Sequence, residues 1–130
     1  MKQSILMEKY PVFELTVPKA ETTCADIDAV IDRLRARIEA HPKVAYIATF
    51  DHFAHTSAIG GSIAPQIKAA KNIVFCFGVH LPNPHVLAVR PRAIGVADLG
   101  DSFHLAFLEP PMELATTEME AWCKALADRT

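Results

Sequence analysis

A chain of 130 residues with 51% apolar side chains can bury one sizeable core and is too short for two, so a single domain over residues 1–130 is expected. Its 13 basic residues against 15 acidic ones give a formal charge of −2, and the absence of any Lys/Arg run argues against nucleic acid as a partner. A mean hydropathy of +0.18 is high for so small a protein, so part of the apolar surface is expected to be covered by a second copy in a homodimer.

Cys24, Cys76 and Cys123 are odd in number, far apart and without a Cys-x-x-Cys pair. That pattern excludes a disulfide framework and a structural zinc site of ordinary spacing, and it fits a reducing cytoplasm. Ile5-Leu6-Met7 is far short of a signal-peptide core, and no apolar run approaches the ~20 residues of a membrane span. A cytoplasmic protein with no membrane partner is the expectation.

Along the chain, Val12 to Val17 between Pro11 and Pro18 predicts a first strand, suited to a sheet edge by its flanking prolines. Thr23 and Asp26 mark a helix start. Ile27, Val30, Ile31, Leu34 and Ile38 then recur at helical spacing until His41-Pro42 ends the run. Val44 to Phe50 is apolar on both faces and predicts a central strand running into Asp51-His52. After Gly60-Gly61 and an irregular connector over 63–71, Asn72 to Phe77 predicts the next strand, closed by Gly78. Asn83-Pro84 predicts a short helix to Val89, stopped by Pro91. Arg92 to Ala97 and Ser102 to Leu108, joined by Asp98-Leu99-Gly100-Asp101, predict a hairpin with Phe103, Leu105 and Phe107 on one face and His104 and Ala106 on the other. Thr117 and Glu120 form a capping-box pattern for a terminal helix whose apolar face is Ala115, Met119, Trp122 and Leu126. Strands in this proportion, with hairpins in place of repeated crossovers, predict an α+β two-layer sandwich: a mainly antiparallel sheet with helices packed on one face.

The middle of the chain resembles the family catalogued as domain of unknown function 302. The matching features are Asp51-His52 at a strand end followed by Ala54 and Ala58, Phe77-Gly78, Pro82 and Pro84 leading into Val86-Leu87, Pro91, and a last strand entering Glu109-Pro110. The resemblance covers roughly half the chain and implies a compact sandwich, usually homodimeric, of no settled activity. The sequence departs from the pattern at Ala93-Ile94-Gly95-Val96, where the family tends to a Leu-Pro-Leu stretch. His55 and His80-Leu81 are additional to the pattern.

Five of the six histidines lie between Val44 and Pro111, in clusters where strands should end. His52 and His55 are three residues apart and converge if their segment is helical; Asp51 then either joins them as a ligand or caps the turn. His80 and His85 flank Leu81-Pro82-Asn83-Pro84, and His85 opens a short helix whose free N–H groups suit an anion. Arg90 and Arg92 point to one side of an extended segment, a cradle for carboxylate or phosphate, or else ion-pair partners of Asp98, Asp101 or Glu109. His104 is expected to be a solvated or cross-strand residue. No nucleophile elbow, phosphate loop or dinucleotide fingerprint is present. The leading expectation is a binding or accessory module for a small polar or anionic ligand at Asp51, His52, His55, His80, His85, Arg90 and Arg92. The loops after Phe50 and after Phe77 are expected to be neighbours and to share one cleft. The alternatives are an enzyme or metal protein using Asp51, His52 and His55, and a structural interaction module without a ligand. No cofactor is identified, and no tightly bound transition metal is expected, because only His52 and His55 have a suitable local spacing.

Overall fold

The computed structural model describes residues 1–129. Six strands, β1 (Lys2–Leu6), β2 (Tyr10–Pro18), β3 (Ala45–Asp51), β4 (Ala69–Cys76), β5 (Arg92–Asp98) and β6 (Ser102–Leu108), form one sheet in the order β1-β2-β6-β5-β4-β3, every neighbouring pair antiparallel. Three α-helices, α1 (Ile27–Ala40), α2 (His52–Ala58) and α3 (Glu113–Lys124), and a 3-10 turn over Pro84–Val89 complete the architecture. The chain is therefore the α+β sandwich that its element order predicts.

The core forms because alternate strand residues and one stripe of each long helix are apolar. Phe13, Val17, Ile73, Phe75, Ile94, Val96, Phe103, Leu105 and Phe107 line one sheet face and meet Val30, Leu34 and Ile38 of α1 and Met119 and Trp122 of α3. Asp26 caps α1 by accepting a hydrogen bond from the Ala29 amide at 2.8 Å, and His41 before Pro42 ends it. The turn between β5 and β6 is held by Asp98, which accepts from the Gly100 amide (2.8 Å) and from the Lys19 ammonium (3.1 Å); Gly100, at φ +96°, supplies the left-handed residue.

Three expectations fail locally. The strand beginning at Val12 is internal, because Lys2–Leu6 forms an additional strand outside it, joined through Met7 and Glu8 at φ 54° and 62°. Its counterpart β3 is the opposite edge and not central: Ile47 and Phe50 are 52% and 44% exposed, and the register slips at Ile47 between Tyr46 and Ala48, a β-bulge. α3 starts four residues before Thr117, with Met112 as its N-cap and no side-chain cap, so Thr117 and Glu120 lie inside the helix. Cys76 is half-buried, on the sheet face away from the core.

That second face is open. One row of cross-strand partners runs across all six strands, Lys2, Glu14, Ala106, Gly95, Asn72 and Phe50. Its middle is nearly bare of side chains. A Cβ on Gly95 would stand 3.1 Å from the Asn72 amide oxygen, so only glycine lets Asn72 lie flat there. Ala70, Ala93, Ala97 and Val74 extend this low floor, and Leu6, Tyr10, Leu108 and Phe50, each more than 40% exposed, rise around it.

Candidate functional site

The end of the sheet where β4 stops and β5 begins carries a cavity of about 270 Å³. Phe77 and Ala115 contribute its inner surface, Val86 and Val89 of the 3-10 turn one wall, and Pro110, Pro111 and Met112, leading into α3, the other. Prolines suit such a wall because they have no N–H that would need a partner when water leaves. Five of the nine prolines, Pro82, Pro84, Pro91, Pro110 and Pro111, gather in the segments around this end.

Polarity enters the cavity through His80, Arg90 and Arg92. Arg92 opens β5 opposite the fully buried Phe75, and its guanidinium donates to the carbonyls of Val89 (3.0 Å) and Leu108 (2.5 Å). Its Nε is buried with no hydrogen-bond partner among the described residues. Burial lowers the pKa of this guanidinium from its ordinary value, as desolvation of a cation must. Arg90 donates to the His80 carbonyl at 2.5 Å, which fixes the 78–83 loop over the cavity mouth. Among the described residues neither arginine forms an ion pair; Asp98 is taken by Lys19, and no carboxylate answers Arg92. Of the two sequence-level alternatives for this arginine pair, the structure leaves the cradle and removes the salt bridge.

The remaining predicted site residues are elsewhere. Because β3 and β4 are antiparallel, Asp51 pairs opposite Lys71 at the start of β4, whereas Phe77 follows the end of that strand. The loops after Phe50 and Phe77 therefore lie at opposite ends of the sheet, and a cleft shared by His52 and His80 does not exist; the 59–68 connector brings the chain back as a hairpin, where the sequence-level argument assumed side-by-side strand ends. Asp51 caps α2, accepting from the Ala54 amide at 2.9 Å. His52 and His55 do share one helical turn, but both rings pack on Phe50, with centroids 4.7 and 5.5 Å away. Among the described residues no three His, Cys, Asp or Glu side chains gather in a way that could hold a metal ion. His85 is exposed on the 3-10 turn and does not line the cavity.

On the open face, His104 Nε2 lies 3.3 Å from Glu14, whose other oxygen accepts from Ser4 at 2.8 Å. The carboxylate sits between serine and histidine, so the histidine cannot take a proton from that hydroxyl, and the trio lacks the order of a nucleophilic triad. His104 is the cross-strand residue expected. Sequence reasoning missed the apolar half of the cavity: Phe77 reads as a strand end, Ala115 as part of a helix's apolar face and Met112 carries no signal, and only the clustering of prolines with Arg90 and Arg92 signals that a wall, not a loop, is being built there.

A family model described as "Family of unknown function (DUF6858)" matches residues 1–128. No curated protein matches the chain. Among solved structures, the crystal structure of an uncharacterized conserved protein, DUF302, from Bacillus stearothermophilus is similar, with a TM-score of 0.60 at 14% identity over 90% of this chain and 88% of the other. At that identity the likeness is one of fold, which the resemblance to domain of unknown function 302 anticipated.

Proposed function

The chain belongs to the family of unknown function DUF6858, and we propose that this member is a homodimeric binding module for a small anion held by Arg92, with Arg90 and His80 at the mouth. One observation carries the reading: a half-buried guanidinium lines an apolar cavity and, among the described residues, has no carboxylate to balance it. Desolvated charge without a counter-ion is costly, and a bound anion relieves it. Trp122 stacks on the cavity residue Phe77 at 5.8 Å and is the only tryptophan, so its fluorescence reports occupancy. Titration with acetate, inorganic phosphate and a longer carboxylate should give a saturable change with at least one of them, abolished in Arg92→Gln. A response that is absent, or unaltered in that variant, refutes the proposal.

The second copy is assigned to the open sheet face. Six strands spaced ~4.8 Å apart and about seven residues long offer roughly 550 Å² per copy, so a face-to-face pair buries about 1,100 Å², just past the ~1,000 Å² a specific interface needs. The face is nearly free of net charge, since the Glu14 carboxylate lies beside Lys2, its cross-strand partner, so two copies meet without repulsion. Light scattering at micromolar concentration should give twice the 14.3 kDa chain mass, and Ala106→Glu should halve it. A wild-type monomer at every concentration removes the dimer. The three free thiols support a reducing compartment, the cytoplasm, as part of this reading.

A further inference from the structure

Resting on the anion site just proposed, we infer that its ligand is an amphiphilic monocarboxylate, a single carboxylate on an unbranched or ring-bearing apolar body of medium length. Volume, wall chemistry and charge each lead there. At about 30 Å³ for each water-sized unit, the cavity of about 270 Å³ holds roughly nine non-hydrogen atoms. Acetate or inorganic phosphate would leave about half of that space empty; an eight-carbon acid fills it.

The walls cannot satisfy a polar body. Proline, valine, methionine and phenylalanine supply no donor, and the polar groups of the cavity are confined to His80, Arg90 and Arg92. A sugar or nucleoside would lose its water there and gain nothing in return. Charge limits the head group. Arg92 has committed one N–H of Nη1 and one of Nη2 to backbone carbonyls, and the second N–H on each of these two nitrogens is what it has left for a ligand. Arg90 is similarly tied to the His80 carbonyl. One negative charge balances the half-buried Arg92, whereas the second charge of a phosphate dianion would be left to Arg90 at the mouth, where water and salt screen it. Phe77, backed by the Trp122 ring lying 7° from parallel, gives the body a flat surface to rest on.

The experiment is a calorimetric and Trp122-fluorescence titration of the full chain with sodium acetate, butyrate, hexanoate, octanoate, octanol, inorganic phosphate and N-acetyl-leucine. Each methylene moved from water into the cavity strengthens binding about fourfold. Octanoate should therefore bind at least ~100-fold tighter than acetate and tighter than octanol, with the gain in affinity rising steadily from butyrate. Arg92→Met should abolish the preference of octanoate over octanol. Val86→Trp, which fills the cavity from a half-buried position on its wall, should block octanoate in a protein whose circular dichroism and melting are unchanged. N-acetyl-leucine stands for a peptide C terminus; binding tighter than octanoate would transfer the site to chain ends and overturn a free carboxylate as ligand. Equal binding of acetate, phosphate and octanoate would overturn the amphiphile and leave the anion site standing. Octanol binding as well as octanoate, in both wild type and Arg92→Met, would overturn both.

Discussion

Phe75→Leu tests how the core supports the cavity. Phe75 is fully buried near the end of β4, and its ring meets Trp122 edge-on at 5.5 Å and Phe77 at 6.1 Å, while Phe77 and Trp122 stack on each other. Replacement by leucine keeps an apolar side chain but removes the ring, and lost packing alone costs about 1–2 kcal/mol. Each of the two edge-to-face pairs adds about 0.5–1.5 kcal/mol beyond area burial. The variant should be less stable by about 2–5 kcal/mol, read by urea unfolding with circular dichroism at fixed protein concentration and an unchanged m-value. A double-mutant cycle with Trp122→Leu should return a coupling of about 0.5–1.5 kcal/mol. A loss below about 1 kcal/mol, or no coupling, would mean that the three rings are neighbours without being a unit, and the rigid floor attributed to Phe77 would go with it.

Two further outcomes follow from titratable groups. Burial pushes the Asp98 carboxyl upward, but the Gly100 amide and the Lys19 ammonium outweigh it, so the net pKa is lowered below the ordinary 3.8. A lowered carboxylate contributes stability that is fully present above the unfolded pKa and is lost as pH falls through the folded one. Asp98→Asn should thus be less stable than wild type by about 1–2 kcal/mol at pH 7, and the gap should close below about pH 4; a gap independent of pH would refute the assignment. Burial also pushes the Cys123 thiol up to about 12. In the native protein at pH 8 it should not react with a disulfide reagent, and mass spectrometry of a digest should find it labelled only after unfolding in denaturant.

Much of the fold was legible because its signals are local. The apolar stripe of α1, the alternation of Phe103, Leu105 and Phe107, and the Asp98-to-Asp101 turn each follow from spacing along a few residues. Lys2–Leu6 was not legible: it is a short, exposed edge strand, and Met7 and Glu8 take left-handed conformations that glycine or asparagine normally announce. The exposed Ile47 and Phe50 misled in the other direction. An edge strand apolar on both sides has the same sequence pattern as a central one, and only the pairing tells them apart. Among candidate site residues, Arg90, Arg92 and His80 converge as their clustering suggested. Asp51, His52 and His55 do not join them, because strand direction is fixed by partners far away in sequence. The cavity depends on Phe77, Met112 and Ala115, apolar side chains whose spacing carries no mark of a pocket, so its existence rests on where helix α3 starts.

The bulge at Ile47 bears on how the protein behaves when concentrated. A sheet with two free edges is a template for end-to-end polymerisation, each copy extending the ladder of the one before. At β3 the slipped register between Tyr46 and Ala48 bends the outer backbone, so an incoming straight strand cannot match its amides and carbonyls. At β1 the ladder is only five residues long and opens with Lys2. Growth along the hydrogen-bonding direction is thereby disfavoured at both edges. Ile47, an exposed apolar residue that looks like a liability, marks the point at which a fibre is prevented from starting.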